Sequence, residues 1–218
     1  MDGFLPGIMK LLLTALAIIP AMCFHEYAHG WVSYKLGDPS PKYDGRLSLN
    51  PLRHVDPIGA LCLIVANFGW AKPVQVNPTY YKDPKKGMAL VALAGPVANF
   101  ILALICFIIT NIIAKVSGGS VSIVTFYIYQ FFMLSAMVNV GLGVFNLIPL
   151  PPLDGSKVIG VFLPTDWYFK FMRFEQYGFI LLFVLLIAGL LDTPLYWLRN
   201  GVVEYLNFLA NFFTGFLA

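Results

Sequence analysis

Residues 88–114 contain no charged side chain, and a helix of that length exceeds the roughly 20 apolar residues that cross the hydrocarbon of a bilayer. The feature recurs along the chain. Residues 4–24 are interrupted only by Lys10, near the outer end of the run, where a lysine stem can lie along apolar surface while its head reaches water. Residues 116–153 are uncharged as well, and the turn Ser117-Gly118-Gly119-Ser120 near their start leaves a spanning helix over about 123–147. A fourth run covers 176–191, and a weaker fifth, 202–217, contains Glu204. Of the 218 residues 59% are hydrophobic and 11% charged, against roughly a quarter charged in a soluble domain, so a soluble core does not account for these runs. The expected fold is an α-helical polytopic membrane protein with about five to six membrane helices. Lipid contact and interfacial belts account for the aromatic residues.

The net charge of +3 raises the question of nucleic acid, but the basic residues are scattered among loops and form no cluster interleaved with aromatics, so nucleic acid is excluded as a partner. Their distribution speaks of topology instead. Lys35, Lys42, Arg46 and Arg53 follow the first run, and Lys72, Lys82, Lys85 and Lys86 precede the second. Positive loops stay on the cytoplasmic side. With the amino terminus outside, that side also receives Lys157, Lys170 and Arg173, leaving only Lys10, Lys115 and Arg199 outside the group. Cys23, Cys62 and Cys106 lie in apolar runs without paired spacing and are packing residues. The first run lacks a basic start and a small-residue cleavage site, so it reads as a retained helix and not a signal peptide.

No repeat or low-complexity tract divides the chain, which predicts one domain over 1–218, with a catalytic core at about 8–160 and further helices at about 161–218. Residues 37–87 are the most irregular. Apolar and polar side chains alternate over 46–50, and again at Val74 and Val76 within 69–78, as in half-buried strands. These predict a small membrane-associated β element between the first and second long helices. Residues 58–68 are apolar but too short to span, and read as a re-entrant or interfacial segment.

The first apolar run ends in His25-Glu26-Tyr27-Ala28-His29. Two histidines four apart on a helix differ by about 40° in azimuth and about 6 Å in height, so both rings reach one ion. Glu26 stands beside them. This is the zincin arrangement, in which zinc acidifies a water and the carboxylate takes its proton. With three histidines and three glutamates in the chain, a shuffle yields the pattern roughly once in two thousand trials. Ionisable groups at the end of a membrane helix are also costly, and so point to function.

Catalytic zinc takes three protein ligands, and His54, Asp56 and Asp154 are the candidates for the third. His54 and Asp56 sit in a polar, basic loop. Asp154 follows Asn146-Leu147-Ile148-Pro149-Leu150-Pro151-Pro152-Leu153, whose prolines break a helix near the inner face of the membrane. A helix N-cap is the alternative role for Asp154. Asn146 is either an amide donor to a developing oxyanion or a structural amide beside the broken helix. Gly95 and Asn99 have the spacing of a helix-contact face; Gly95 reads as packing and Asn99 as a site-lining candidate.

Together with Gly95-Pro96-Val97-Ala98-Asn99 in the second long run, these segments resemble the site-2 proteases, which are intramembrane zinc metalloproteases. The resemblance covers about 25–155 and extends to Asn50-Pro51-Leu52-Arg53-His54-Val55-Asp56-Pro57 and to 69–77. It implies one zinc ion held by His25, His29 and Asp154, with Asn146 lining the site and Glu26 as general base. It also implies a transmembrane or membrane-anchored protein substrate, a multi-pass place in the cell membrane with the active site toward the cytoplasm, and a minimal form without the PDZ or nucleotide-sensing modules many members carry. The rival readings are a membrane metal transporter using the same ligands and a catalytically silent scaffold. Transporters commonly show duplicated halves, and no duplication is present.

Overall fold

A computed structural model describes residues 5–54, 56, 59, 72–117, 122–164, 167, 168, 170, 171 and 175–217. Within them the chain forms α1 (Leu5–Lys35), α2 (Ser40–Tyr43), α3 (Pro84–Val116), α4 (Ile123–Asn146), α5 (Asp154–Gly160), α6 (Glu175–Ile187) and α7 (Asp192–Thr214). Local chemistry sets the ends of these helices. Asp83 accepts hydrogen bonds from the backbone N–H groups of Lys85 and Lys86, with Pro84 at the first helical position, so α3 starts there. The Ser122 hydroxyl accepts from the Thr125 N–H and starts α4. That helix stops at Asn146 because Pro149, Pro151 and Pro152 offer no N–H to continue it. Residues 147–153 instead run through isolated turns, Ile148 N–H to Phe145 carbonyl and Leu153 N–H to Leu150 carbonyl among them.

Helix α3 packs against α1, α4, α5 and α7. The core lies between α3, α4 and α7, where Ala103, Cys106 and Phe107 meet Ala136, Val140, Val144, Leu206 and Ala210. Small side chains dominate it. That choice lets backbones approach closely, which is how helices associate where lipid tails are as apolar as the helices themselves. Outside the core, Ile101, Ile105, Ile128, Phe208 and Phe212 are exposed, apolar side chains suited to lipid contact.

Each expected apolar run falls on a helix, but the number of spans is smaller than expected. Pro84–Val116 and Ile123–Asn146 are long and apolar enough to cross a membrane, and residues 176–187 with Asp192–Thr214, bent by 89°, count as a third only if they form one span. Among the described residues the expected five to six spans come to two or three: His25, Glu26, His29 and Lys35 dilute the second half of α1, and α6 has 13 residues. The expected β element also gives way, because the described residues contain no strand. Residues 72–77 are extended, yet their backbone donors bond elsewhere: Lys72 N–H to the His54 carbonyl, Val74 N–H to Glu26 and Asn77 N–H to Asp38. Residues 69–71 and, apart from Gly59, the expected re-entrant segment 58–68 lie outside the described residues.

Phe107 is 1% exposed at the centre of this core. Its truncation to alanine opens a cavity that neighbouring alanines cannot fill, and should destabilise the protein by about 3–5 kcal/mol. Thermal unfolding in detergent checks this, with Ile105→Ala on the exposed face as the comparison that should change little.

Candidate metal centre

Helix α1 carries His25 and His29 on the face turned to α3, and both are buried. Ring orientation is fixed from behind. The Nδ1 of His25 lies 2.6 Å from Asn99 Oδ1, and that of His29 lies 2.7 Å from the Val91 carbonyl oxygen. Both partners are acceptors, so each Nδ1 carries a proton and donates it, and in a neutral ring the Nε2 is then the lone pair. Asn99 is itself locked: its amide donates to the Ala21 carbonyl and to Asn139 Oδ1, while Asn139 donates to the Ser135 carbonyl. Gly95 stands between Val91 and Asn99. A Cβ there would lie 2.5 Å from His25 Cε1 and 2.6 Å from His29 Cε1, so α3 reaches the two rings only because this position has no side chain.

Asp154 arrives from the opposite side as the first residue of α5. Its carboxylate does not cap that helix, whose N-cap is Leu153. Instead Oδ2 lies 3.2 Å from Nε2 of His25 and 3.2 Å from Nε2 of His29, and the ligand atoms of all three residues fall within 4.8 Å of one another. Asp154 Oδ2 is buried and has no hydrogen-bond partner. With both rings neutral, three electron pairs face one point and repel unless a cation sits between. Zinc bonds of about 2.0–2.2 Å in tetrahedral array set ligand atoms about 3.3–3.5 Å apart, close to the separation seen, whereas a charge-assisted hydrogen bond is about 2.7–2.9 Å. The donor set and the orphaned oxygen both fit zinc.

These residues open onto a cleft of about 190 Å³ lined by Glu26, Pro73, Val74, Val76, Asn146 and Lys157, among others. The Glu26 carboxylate accepts the Val74 N–H at 2.9 Å. Asn146 faces the cleft while one of its amide protons goes to the Leu142 carbonyl at 3.0 Å, leaving the other for the cavity. His54 and Asp56 are engaged elsewhere: His54 Nε2 lies 2.5 Å from the Ser48 carbonyl oxygen, and Asp56 Oδ1 accepts the Gly59 N–H. Three participants escape the sequence reading. The Val91 carbonyl and the Val74 N–H are backbone groups with no residue signature. Lys157 does have one, since three residues past Asp154 on a helix is the same face.

Asn99→Leu removes the acceptor that orients His25 and leaves the Asn139 and Ala21 oxygens without donors. Zinc affinity should fall about 10–100-fold, read by competition with a chromophoric chelator; unchanged affinity would refute the orienting role.

The sequence profile described as peptidase family M50 matches residues 13–189. The candidate zinc metalloprotease YwhC of Bacillus subtilis is 39% identical over 202 residues, covering 92% of this chain and 92% of that protein. The candidate zinc metalloprotease Rip2 of Mycolicibacterium smegmatis is 28% identical, covering 85% of this chain and 73% of that protein. One of the same description from Methanocaldococcus jannaschii is 27% identical, covering 77% and 84%. No solved structure matches the chain. With the profile spanning most of its length, this membrane protein belongs to peptidase family M50, the site-2 protease family.

Proposed function

We propose that the chain is an intramembrane zinc metalloendopeptidase cleaving transmembrane or membrane-anchored proteins, with His25, His29 and Asp154 as ligands and Glu26 as general base. One observation carries this reading: two Nε2 lone pairs and an unpartnered carboxylate oxygen converge beside a second carboxylate in one cleft. Zinc held there supplies a Lewis acid that acidifies water and polarises a scissile carbonyl. Glu26 accepts the proton and returns it to the leaving amine. The Val74 N–H restrains its carboxylate in the cleft, and the free amide proton of Asn146 is available to an oxyanion.

A helical substrate hides its carbonyls in internal hydrogen bonds and must be unwound before attack. Residues 72–77 lie extended beside the cleft, so an incoming extended segment can pair with them by strand addition. The single domain and the fuller topology belong to the same proposal. Helix α1, with 31 residues, inserts from an outside amino terminus and brings His25 and His29 to the cytoplasmic part of the membrane. The loops carrying Lys35 to Lys86 then stay on that side.

Glu26→Gln should abolish cleavage of a membrane substrate, a loss of about 10²–10⁴-fold, with zinc content near wild type. Asp154→Asn should lose zinc as well as activity. Cleavage by a zinc-loaded Glu26→Gln protein would remove Glu26 as the base. For topology, cysteines placed at Lys82 and Lys115 should react with an impermeant thiol reagent from opposite sides of the membrane; labelling from one side would refute the proposed crossing of α3.

A further inference from the structure

The extended segment 72–77 has no strand partner among the described residues, yet it is held along α1. Glu26, which accepts the Val74 N–H, and Ser33 are seven residues apart, so they share one face of the helix about 10 Å apart. Between them is Gly30, whose absent Cβ would lie 3.4 Å from Val74 Cγ1, so the segment rests on the helix itself. Three residues of extended chain, from Val74 to Asn77, also cover about 10 Å. The match brings the Asn77 N–H to Asp38 Oδ2 at 2.7 Å, while the Ser33 hydroxyl donates to the same oxygen at 2.8 Å. The Ser40 N–H donates to Oδ1 at 2.9 Å. Because the Ser33 proton is committed, the Tyr81 hydroxyl at 2.7 Å donates to Ser33. Asp38 and Ser33 are 0% exposed and Tyr81 is 5% exposed. Tyr81 in turn packs on Gly87 in the first turn of α3.

We propose that Asp38 is a positioning residue that sets the register of the substrate-pairing edge: with Ser33 and Tyr81 it pins segment 72–77 to the end of α1, so that a bound chain meets Glu26 and the metal ligands at one fixed residue. The inference rests on the proteolytic reading above. Between the two pinned amides, Gln75 is exposed, and neither its N–H nor its carbonyl makes a hydrogen bond among the described residues, which is the edge open to pairing. Moving a strand by one residue shifts it by about 3.3 Å and exchanges its faces, enough to present a neighbouring peptide bond to the site. Burial raises the Asp38 carboxyl pKa, but the hydrogen bonds from Ser40, Asn77 and Ser33 outweigh it and hold the group below the ordinary carboxylate range. It therefore remains an acceptor for all three donors, which an amide in its place cannot be.

The test uses Asp38→Asn and the milder Ser33→Ala in the full chain, with two readouts. Hydrogen exchange reads the anchor without activity: protection at Val74 and Asn77 should fall about tenfold or more, the size of losing a hydrogen bond to a charged group, with zinc content and the protection of α3 unchanged. Mass spectrometry of the products of a single-site transmembrane substrate reads the register: wild type should give one cut, and the variants cuts spread over adjacent bonds. Unchanged exchange in zinc-loaded Ser33→Ala would overturn the anchor, which keeps the question decidable if Asp38→Asn fails to fold. Loosened exchange with an unmoved single cut would overturn the register role. A zinc-loaded wild type that cuts no membrane substrate would instead sink the proteolytic reading, and the exchange data would still decide the anchor.

Discussion

With its Nδ1 proton given to Asn99, the His25 ring must turn its Nε2 lone pair toward the cleft, and the Val91 carbonyl imposes the same on His29. A histidine pair on a helix, left to itself, samples rotamers and both tautomers. Fixing the proton on the far nitrogen is what turns spacing into a ligand set, and it makes the Asp154 oxygen, 3.2 Å from each Nε2, unable to find a hydrogen-bond donor there. What lies behind the rings thus gives the three residues an arrangement that could hold a cation.

Both orienting groups and the gap between them belong to α3. Val91, Gly95 and Asn99 are four residues apart in succession, a single stripe along one side of the helix. The first supplies a carbonyl, the second an absent side chain, and the third an amide. Asn99 has no exposed surface, and an amide so placed among apolar helices is costly unless its donors and acceptor are all engaged. Ala21, Asn139 and His25 engage them. The polar chain from α4 through α3 to α1 is satisfied as a unit, which rigidifies the packing that Gly95 permits. The small-residue core of α3, α4 and α7 serves the same end by fixing where α3 stands.

The sequence makes the helices legible because uncharged length is a direct physical requirement of a membrane, and His25, Glu26 and His29 are legible because helical geometry alone brings positions four apart together. Asp154 needed more. Its distance in sequence says nothing about approach, so spacing alone left His54 and Asp56 as rivals; the family resemblance singled out Asp154, and the fold puts it against the histidines. The β element was misread for an instructive reason. Alternation at Val74 and Val76 correctly reports an extended chain with one face turned inward, but it does not identify what takes the backbone donors, and here two carboxylates on or beside α1 take them. Fewer spans appear among the described residues than the apolar runs suggest, because hydropathy credits every apolar run, whereas a run with His25, Glu26, His29 and Lys35 at its end serves a site as well as the bilayer.

An extended segment beside a protease cleft has conflicting requirements. If every backbone group is paired within the chain, nothing is left for a substrate; if none is, the segment wanders and presents no fixed edge. Side-chain acceptors resolve the conflict, because a carboxylate takes a single N–H without demanding the neighbouring groups that a second strand would occupy. Glu26 and Asp38 each take one N–H of the segment, at Val74 and Asn77, and Gln75 between them is left open. Catalysis and alignment are thereby linked through one short stretch of backbone, since the carboxylate proposed to move the proton is one of the two that hold the edge. In the proposed function, a substrate drawn into pairing with Gln75 is positioned relative to the same Glu26 proposed to act on it.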